Sequence, residues 1–496
     1  MQIAKVQESL ARKALYQPNT QFDDLFSLVT HPHWLWVATE SVLQGRDALV
    51  PGVDGITKES IAGDTRAYAQ ALAADLKARV YKPQPVRQRH MPDVDGNIHA
   101  QGIPTLRDRV VQEAVRMVLE PILESHFLDC SIGLRPARHA MDAIHLSEAF
   151  ASDKAKMWWI VRGAIKDGFS SIPHSKLRGV LAYYIKDKKL LDLLAKLLAA
   201  GIIEKGQLSL PNQGVQQMGL LAPLLVNAYL HEMDKIWWSR YGGLTEEQQA
   251  KRRAQGLGNV QLLRYADDFV LMTNGNKECA YALRVEFAEV VHGLGLELSA
   301  EKTKVVHLND GLDFLGFHLQ RVYNRTANKN MLLVKPSKHS IDAFKEAARA
   351  ITARDSSGDD AAHKIRALNA LTRRWANYYR FANVSEEFQD LERFIHMRMY
   401  YWLKAKHSNL SARESVKKHV VQTYLTPYTG TRKTWGIDGA KLLPMSTIER
   451  KRYSIYWPQE RNPYLEYGNG TGTAQIQFTE ETPLHELWHI KAYSDK

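Results

Sequence analysis

A chain of 496 residues exceeds one ordinary hydrophobic core, so two to four domains or subdomains are expected. Its 45% hydrophobic and 24% charged content suits a folded protein, and a formal net charge of +12 favours polyanionic partners, nucleic acid ahead of membrane surface. Two cysteines, Cys130 and Cys279, exclude a disulfide framework and a cysteine-based zinc module, which fits a reducing compartment.

The opening residues contain no unbroken apolar run, so no secretory signal is expected. Helices should fill residues 1–60 around a loop at Val50-Pro-Gly-Val-Asp-Gly-Ile-Thr57. A further helix is expected from Thr65 to Val80, ended by Pro83 and Pro85, and then a strand over Arg87–Pro92 that enters a turn at Asp93–Gly96. Val110, Val111, Ala114, Val115, Val118, Leu119, Ile122 and Leu123 give helical spacing across Asp108–Phe127. Trp158–Ile165 reads as a buried strand, and His174–Gly201 as helical. Leu220–Trp238 is again helical with Pro223 near its start. The apolar stretches Leu190–Ile203 and Met218–Leu230 are too short to span a bilayer, and no membrane partner is expected. Gln261–Met272 is the clearest hairpin, Gly311–Gln320 adds a strand, and the pattern beyond Lys335 is helical to about His419 before turning loop-rich. Interleaved strands and helices followed by a helical block predict an α+β protein with a helical appendage.

Within the hairpin, Tyr265-Ala-Asp-Asp268 sets two carboxylates between apolar runs. Neighbouring side chains of a strand point to opposite faces, so a tight tip is needed to expose both while Leu262, Leu263, Val270 and Met272 are buried. Paired carboxylates at such a tip suit Mg²⁺ shared with substrate phosphates, the arrangement of two-metal phosphoryl transfer. The dipeptide alone is more commonly a solvated turn, so its neighbours decide.

Those neighbours arrive in a characteristic order. They are Gly102-Ile-Pro-Thr-Leu-Arg-Asp-Arg-Val-Val-Gln112, Leu119-Glu-Pro-Ile-Leu-Glu124 and Ser131-Ile-Gly-Leu-Arg-Pro-Ala-Arg138. Gly219-Leu-Leu-Ala-Pro-Leu-Leu225, Asn227-Ala-Tyr-Leu230 and Asp234 precede the hairpin. Gly293-Leu-Gly-Leu-Glu-Leu-Ser-Ala-Glu-Lys-Thr303, Leu312-Asp-Phe-Leu-Gly-Phe317 and Leu371-Thr-Arg-Arg-Trp-Ala-Asn-Tyr-Tyr-Arg380 follow it. From about Gly52 to Leu465 the chain resembles a group II intron reverse transcriptase/maturase. That resemblance implies a right-hand polymerase fold of fingers, palm and thumb, with an antiparallel palm sheet and a helical thumb/maturase domain. Its divisions would be an N-terminal extension at 1–60, fingers and palm at 61–325, thumb/maturase at 326–420, and a basic DNA-binding-like region at 421–496. It further implies Mg²⁺ on Asp267 and Asp268, nucleotide contacts at Phe169, Arg135, Gln217 and Lys302, and intron RNA as partner, with target DNA a second candidate.

The sequence departs from the family pattern where the chemistry belongs. The first catalytic aspartate of the family falls on Ala164, whose methyl group cannot ligate a metal, and a customary aspartate is Ser170. Asp167, three residues on, offers a carboxylate but is expected past the strand end. Asp93 and His99 stand where the family has a phosphate-neutralising Lys and Arg, and Gln216-Gln217-Met218 replaces Pro-Gln-Gly. Concentrated at one site, these changes predict impaired polymerase activity on a scaffold kept for RNA binding.

For that binding, residues 335–406 supply Arg373, Arg374, Arg380, Lys404 and Lys406, interleaved with aromatics that are mostly expected in the core. Arg450, Lys451 and Arg452 form a second, weaker cluster resembling the family's DNA-binding tail. No cysteine pair or histidine cluster of HNH type follows, so no endonuclease domain is expected. The His485-Glu-Leu-Trp-His489 spacing of a zinc motif is read as coincidence. A maturase in a cytoplasmic ribonucleoprotein, with an organelle left open, is the expected function. An active RNA-directed DNA polymerase for retrohoming and a relative repurposed in host defence are the alternatives.

Overall fold

The computed structural model describes residues 2–61, 63–92, 98–215, 219–325, 328–407, 411, 414, 418–426, 430–453 and 462–465; for residues 46, 89–92, 98–101, 422–426 and 430–432 only the backbone is described. Two compact units result. One runs to His307 and takes in residues 462–465, and the other covers residues 308–453.

In the first unit, α1 (Ile3–Tyr16), α2 (Leu25–Val29), α3 (Pro32–Gln44) and α4 (Thr65–Lys77) precede the strands β1 (Val86–Pro92) and β2 (Ile98–Ile103). Asp64 starts α4 by accepting the Ala67 N–H at 2.9 Å. Thr105 starts α5 (Leu106–Glu124), whose apolar positions from Val110 to Leu123 are almost completely buried. Next come α6 (Ala140–Ala151), β3 (Trp159–Ala164), α7 (His174–Tyr184), α8 (Lys188–Leu198), β4 (Ile202–Glu204), β5 (Gln207–Ser209), α9 (Ala222–Trp237) and α10 (Glu246–Ala254). The hairpin β6 (Val260–Tyr265) and β7 (Asp268–Thr273) is followed by α11 (Lys277–Gly293) and β8 (Lys304–His307).

These strands form two sheets. One has the order β2-β1-β4-β5, with β1 and β4 parallel; the other is the fully antiparallel sheet β6-β7-β3-β8. The second sheet, the palm, is built on the expected apolar runs: Leu263, Val270 and Met272 are at most 1% exposed, and all of β7 is buried.

The second unit holds β9 (Leu312–Phe314), β10 (Phe317–Asn324), β11 (Lys329–Pro336), α12 (Lys338–Ile351), α13 (Ala361–Tyr379) and α14 (Ser385–Lys406). It closes with the antiparallel sheet β12 (Val420–Thr426), β13 (Gly430–Ile437) and β14 (Ala440–Lys441). No helix among the described residues is long and apolar enough to cross a membrane.

Four elements differ from the sequence expectation. The stretch 174–201 is two helices, because the chain opens at Ile185–Asp187 to exchange backbone hydrogen bonds with Phe22, at 2.8 and 2.7 Å, before the Asp187 carboxylate caps α8. The single strand expected over Gly311–Gln320 is a hairpin, since Leu315 and Gly316 adopt left-handed φ of 50° and 75° and fold Phe314 onto Phe317. The described residues of 420–441 form a sheet rather than mere turns. Finally, residues 462–465 return to the first unit: the Tyr464 hydroxyl donates to Glu120 and the Asn462 amide donates to Ser125 Oγ at 3.0 Å.

Candidate carboxylate site and nucleic-acid face

Tyr265 pairs with Asp268, leaving Ala266-Asp267 as a two-residue turn. Ala266 carries a left-handed φ of 57°, which costs a non-glycine residue about 1–2 kcal/mol. Asp268 is 5% exposed at the start of β7, and Asp267 is half-buried at the tip. The register sets Ala164 directly opposite Asp268, and directly opposed residues of an antiparallel pair present their side chains on the same face. A carboxylate at position 164 would therefore stand beside Asp268. The methyl group that is present offers no ligand.

The end of β3 is pinned on both sides. Ile165 N–H donates to the Asp267 carbonyl at 2.9 Å, and the Ala164 carbonyl accepts the Ser299 N–H at 2.8 Å. Beyond it, the turn holding Asp167 and Phe169 folds onto the hairpin so closely that a Cβ on Gly168 would lie 2.7 Å from Asp267 Cβ. Phe169 is buried there, and its carbonyl accepts the Val215 N–H at 2.7 Å. Asp167 is exposed, with a left-handed φ of 48°. Among the described residues no three His, Cys, Asp or Glu side chains are placed to hold a metal ion, so Asp167 does not complete the set in this geometry.

Behind the hairpin lies a network that sequence reading did not assign. Arg264 is fully buried and all five of its N–H groups are matched. Nε donates to Asp234 Oδ1 at 2.9 Å, and Nη2 donates to Asp234 Oδ2 and Ser131 Oγ, both at 2.6 Å. Nη1 donates to Asn227 Oδ1 and to the Ala266 carbonyl, both at 2.9 Å. Asn227 in turn donates to the Gly133 carbonyl at 3.0 Å. Gly133 must lack a side chain, because a Cβ would sit 2.4 Å from the Ala266 nitrogen. Ser131, Gly133, Asn227 and Asp234 all belong to the ordered motifs. The arginine that gathers them sits in the strand between two apolar residues and gives no local sign of its partners.

The remaining sequence candidates divide. Lys302 is exposed in the segment Ser299–Thr303 whose first residue binds Ala164, so the fold brings it to the end of β3. Arg135 is not presented outward: it grips Glu124 Oε1 at 2.6 Å, donates to the Leu128 and Ser131 carbonyls, and lies over the Phe127 ring. With its side chain 3% exposed, this guanidinium holds the 124–135 segment together. Asp93, Gln216-Gln217-Met218, His485 and His489 lie outside the described residues, as does the side chain of His99.

In the second unit, α13 carries Lys364, Arg366, Arg373 and Arg374 and no Asp or Glu. Lys364 is buried and pairs with Asp359 at 2.7 Å, whereas Arg366, Arg373 and Arg374 are exposed. Its opposite face, with Trp375 and Tyr379 buried, forms the core, as the aromatic spacing anticipated. Lys404 on α14 is exposed. Lys406 instead donates to the carbonyls of Ser357, Gly358 and Asp359, and Arg380 lies over Phe381 with one N–H reaching Asn377, so both serve the fold as well as any ligand. Arg450 donates to Ser385, Lys451 pairs loosely with Glu449 at 3.4 Å, and Arg452 is exposed.

Comparison with known proteins decides the family. Residues 90–319 match the family described as reverse transcriptase (RNA-dependent DNA polymerase), and residues 341–421 match the group II intron, maturase-specific domain. Protein YkfC of Escherichia coli is 33% identical over 68% of this chain and 93% of its own length. The group II intron-encoded protein LtrA of Lactococcus lactis is 26% identical over 92% of this chain and 84% of its own length. The chain belongs to the group II intron reverse transcriptase/maturase family. Nuclear intron maturase 3 of Arabidopsis thaliana is similar over 44% of the chain at 26% identity.

Reverse transcriptase domains of this family generally use Mg²⁺. Asp267 and Asp268 would be the residues to hold such an ion here, with water or phosphate oxygens completing its shell. These two carboxylates do not suit the paired ions of two-metal transfer, which need a further carboxylate from β3 where Ala164 stands.

Proposed function

We propose that the chain acts as a group II intron maturase: it binds intron RNA and stabilises the folded form that splices, while its polymerase activity is impaired. The observation that carries this reading is the Ala164–Asp268 pairing, which leaves a complete palm scaffold with an incomplete ligand set. Loss of one metal carboxylate removes several kcal/mol of transition-state stabilisation, or roughly a thousandfold in rate. RNA binding survives such a loss because it depends on phosphate neutralisation and shape, which the exposed cations of α13 supply. The setting is an intracellular ribonucleoprotein in which the RNA performs the chemistry. Target DNA is a further partner of this reading, taken up by the exposed side chains of Lys451 and Arg452.

Primer extension on poly(rA)/oligo(dT), with Mg²⁺ and then Mn²⁺, tests the polymerase half. Background incorporation is expected, and robust incorporation would overturn it in favour of an active reverse transcriptase working through Asp267 and Asp268. Splicing of the intron neighbouring the gene, with and without protein, tests the other half. Protein-dependent splicing is expected; a rate indifferent to the protein would point to a repurposed role.

A further inference from the structure

We propose that Arg264 is a positioning residue for the aspartate turn, holding Asp267 and Asp268 at the end of β3 through the backbone of Ala266. Two features separate this from ordinary core packing. The guanidinium reaches across from the paired Asp234 to the Ala266 carbonyl at 2.9 Å, so the bond falls on the turn residue with left-handed φ. The same fork fixes Ser131 Oγ and Asn227 Oδ1, and these residues' segment and amide place Gly133 directly beneath the Ala266 nitrogen. The turn is thus held from its carbonyl on one side and from van der Waals contact on the other.

A hydrophobic side chain at position 264 would fill the same interior but place no constraint on the turn. A lysine would keep the charge opposite Asp234 but has a single nitrogen, which cannot reach Asp234, Ser131, Asn227 and Ala266 together. Arg264→Lys therefore separates burial of a charge from geometry of the fork. With the carbonyl of Ala266 released, the peptide between Ala266 and Asp267 is free to rotate, and the Asp267 and Asp268 carboxylates shift relative to the end of β3.

The experiment uses the full chain carrying Ala164→Asp, in which three carboxylates face that position, and Mn²⁺ as the probe. Mn²⁺ affinity is read by electron paramagnetic resonance for Ala164→Asp, for Ala164→Asp with Arg264→Lys, and for Ala164→Asp with Arg116→Lys. Arg116 is a half-buried arginine of α5 paired with Glu113 and Glu120 and serves as the control for general loss of stability. The expected result is about tenfold weaker Mn²⁺ binding in the Arg264→Lys chain, with the Arg116→Lys chain within twofold of its parent. Hydrogen exchange at the amides of residues 266–268 should quicken about tenfold in the first chain alone. Equal Mn²⁺ affinity in all three would overturn the proposal. Failure of Ala164→Asp itself to bind Mn²⁺ would overturn it too, because the turn would then not be held toward β3. The inference does not rest on impaired polymerase activity: primer extension by the natural chain would sink that reading and leave Arg264 its role.

Discussion

The two sides of the palm hairpin obey different rules. On the inner side, Arg264, Asp234, Asn227 and Ser131 form a closed set in which every guanidinium N–H has an acceptor. On the outer side, Ala164 stands opposite Asp268, where two-metal transfer would need a carboxylate, and Asp167 is exposed in the turn that follows. The inner groups are buried, so any one of them left unmatched destabilises the whole fold. Outside that network Asp167 is exposed and Asp267 half-buried, so replacing either should cost less stability than replacing an inner group. Foldability and catalysis are therefore separable in this domain, and a chain can keep the first while losing the second.

Asp234→Ala probes the inner side most severely. It strands the Arg264 charge in the core and should cost about 3–5 kcal/mol, read as a fall in urea midpoint or as failure to fold. A loss below about 1 kcal/mol would mean that water or another acceptor replaces the carboxylate. On the outer side, Ala164→Asp places a carboxylate at a site 2% exposed and opposite Asp268, so it should cost about 1–3 kcal/mol without metal, and it should raise Mg²⁺-dependent primer extension by at least about a hundredfold. No gain at all would show that the other departures, rather than position 164, set the defect.

A third pairing contrasts the palm with α13. Replacing Arg366, Arg373 and Arg374 together by alanine should weaken intron RNA binding about tenfold or more near physiological salt. The slope of log affinity against log salt should shrink by about 2 to 3. The same triple change should leave the folding of the first unit unaltered, and an undiminished salt slope would place the RNA elsewhere.

The smallest effect concerns pH. Burial pushes the His231 imidazole down to about 3, aided by Lys235 and Arg264. In the unfolded chain it titrates near 6.5. The unfolded state thus binds the extra proton first, so stability is full above about pH 6.5 and falls as pH drops below it, by up to about 1.4 kcal/mol per unit. His231→Gln should flatten the thermal midpoint between pH 6.5 and 5; an unchanged slope would assign the acid sensitivity to other groups.

The hairpin and α5 were legible in the sequence because their patterns are local: short apolar runs on either side of Asp267-Asp268, and three- and four-residue spacing from Val110 to Leu123. Asp267, Asp268, Phe169 and Lys302 could be grouped because motif order carries long-range information. Arg264 could not, since its side-chain partners Asp234, Asn227 and Ser131 lie far along the chain and nothing beside it in sequence marks it as buried. Arg135 and Lys406 show the converse error. A cation in a motif or a basic run says nothing of whether internal carboxylates and carbonyls already occupy it. The split at Ile185–Asp187 depends on Phe22, and the β12–β14 sheet on pairing between short, weakly patterned segments.

The return of Asn462 and Tyr464 to α5 has a consequence for chain entropy. The chain leaves the first unit after His307 and is back in it at residues 462–465, so while Tyr464 holds Glu120 the second unit lies within a closed loop rather than on a free tail. Should that unit unfold, its ends stay fixed, and the disordered loop samples fewer conformations than an unattached segment of equal length. A permanent crosslink over so many residues would be worth roughly 4–5 kcal/mol. A reversible one contributes no more than its own anchoring energy, so a short strap on α5 can steady the second unit through the chain ends alone.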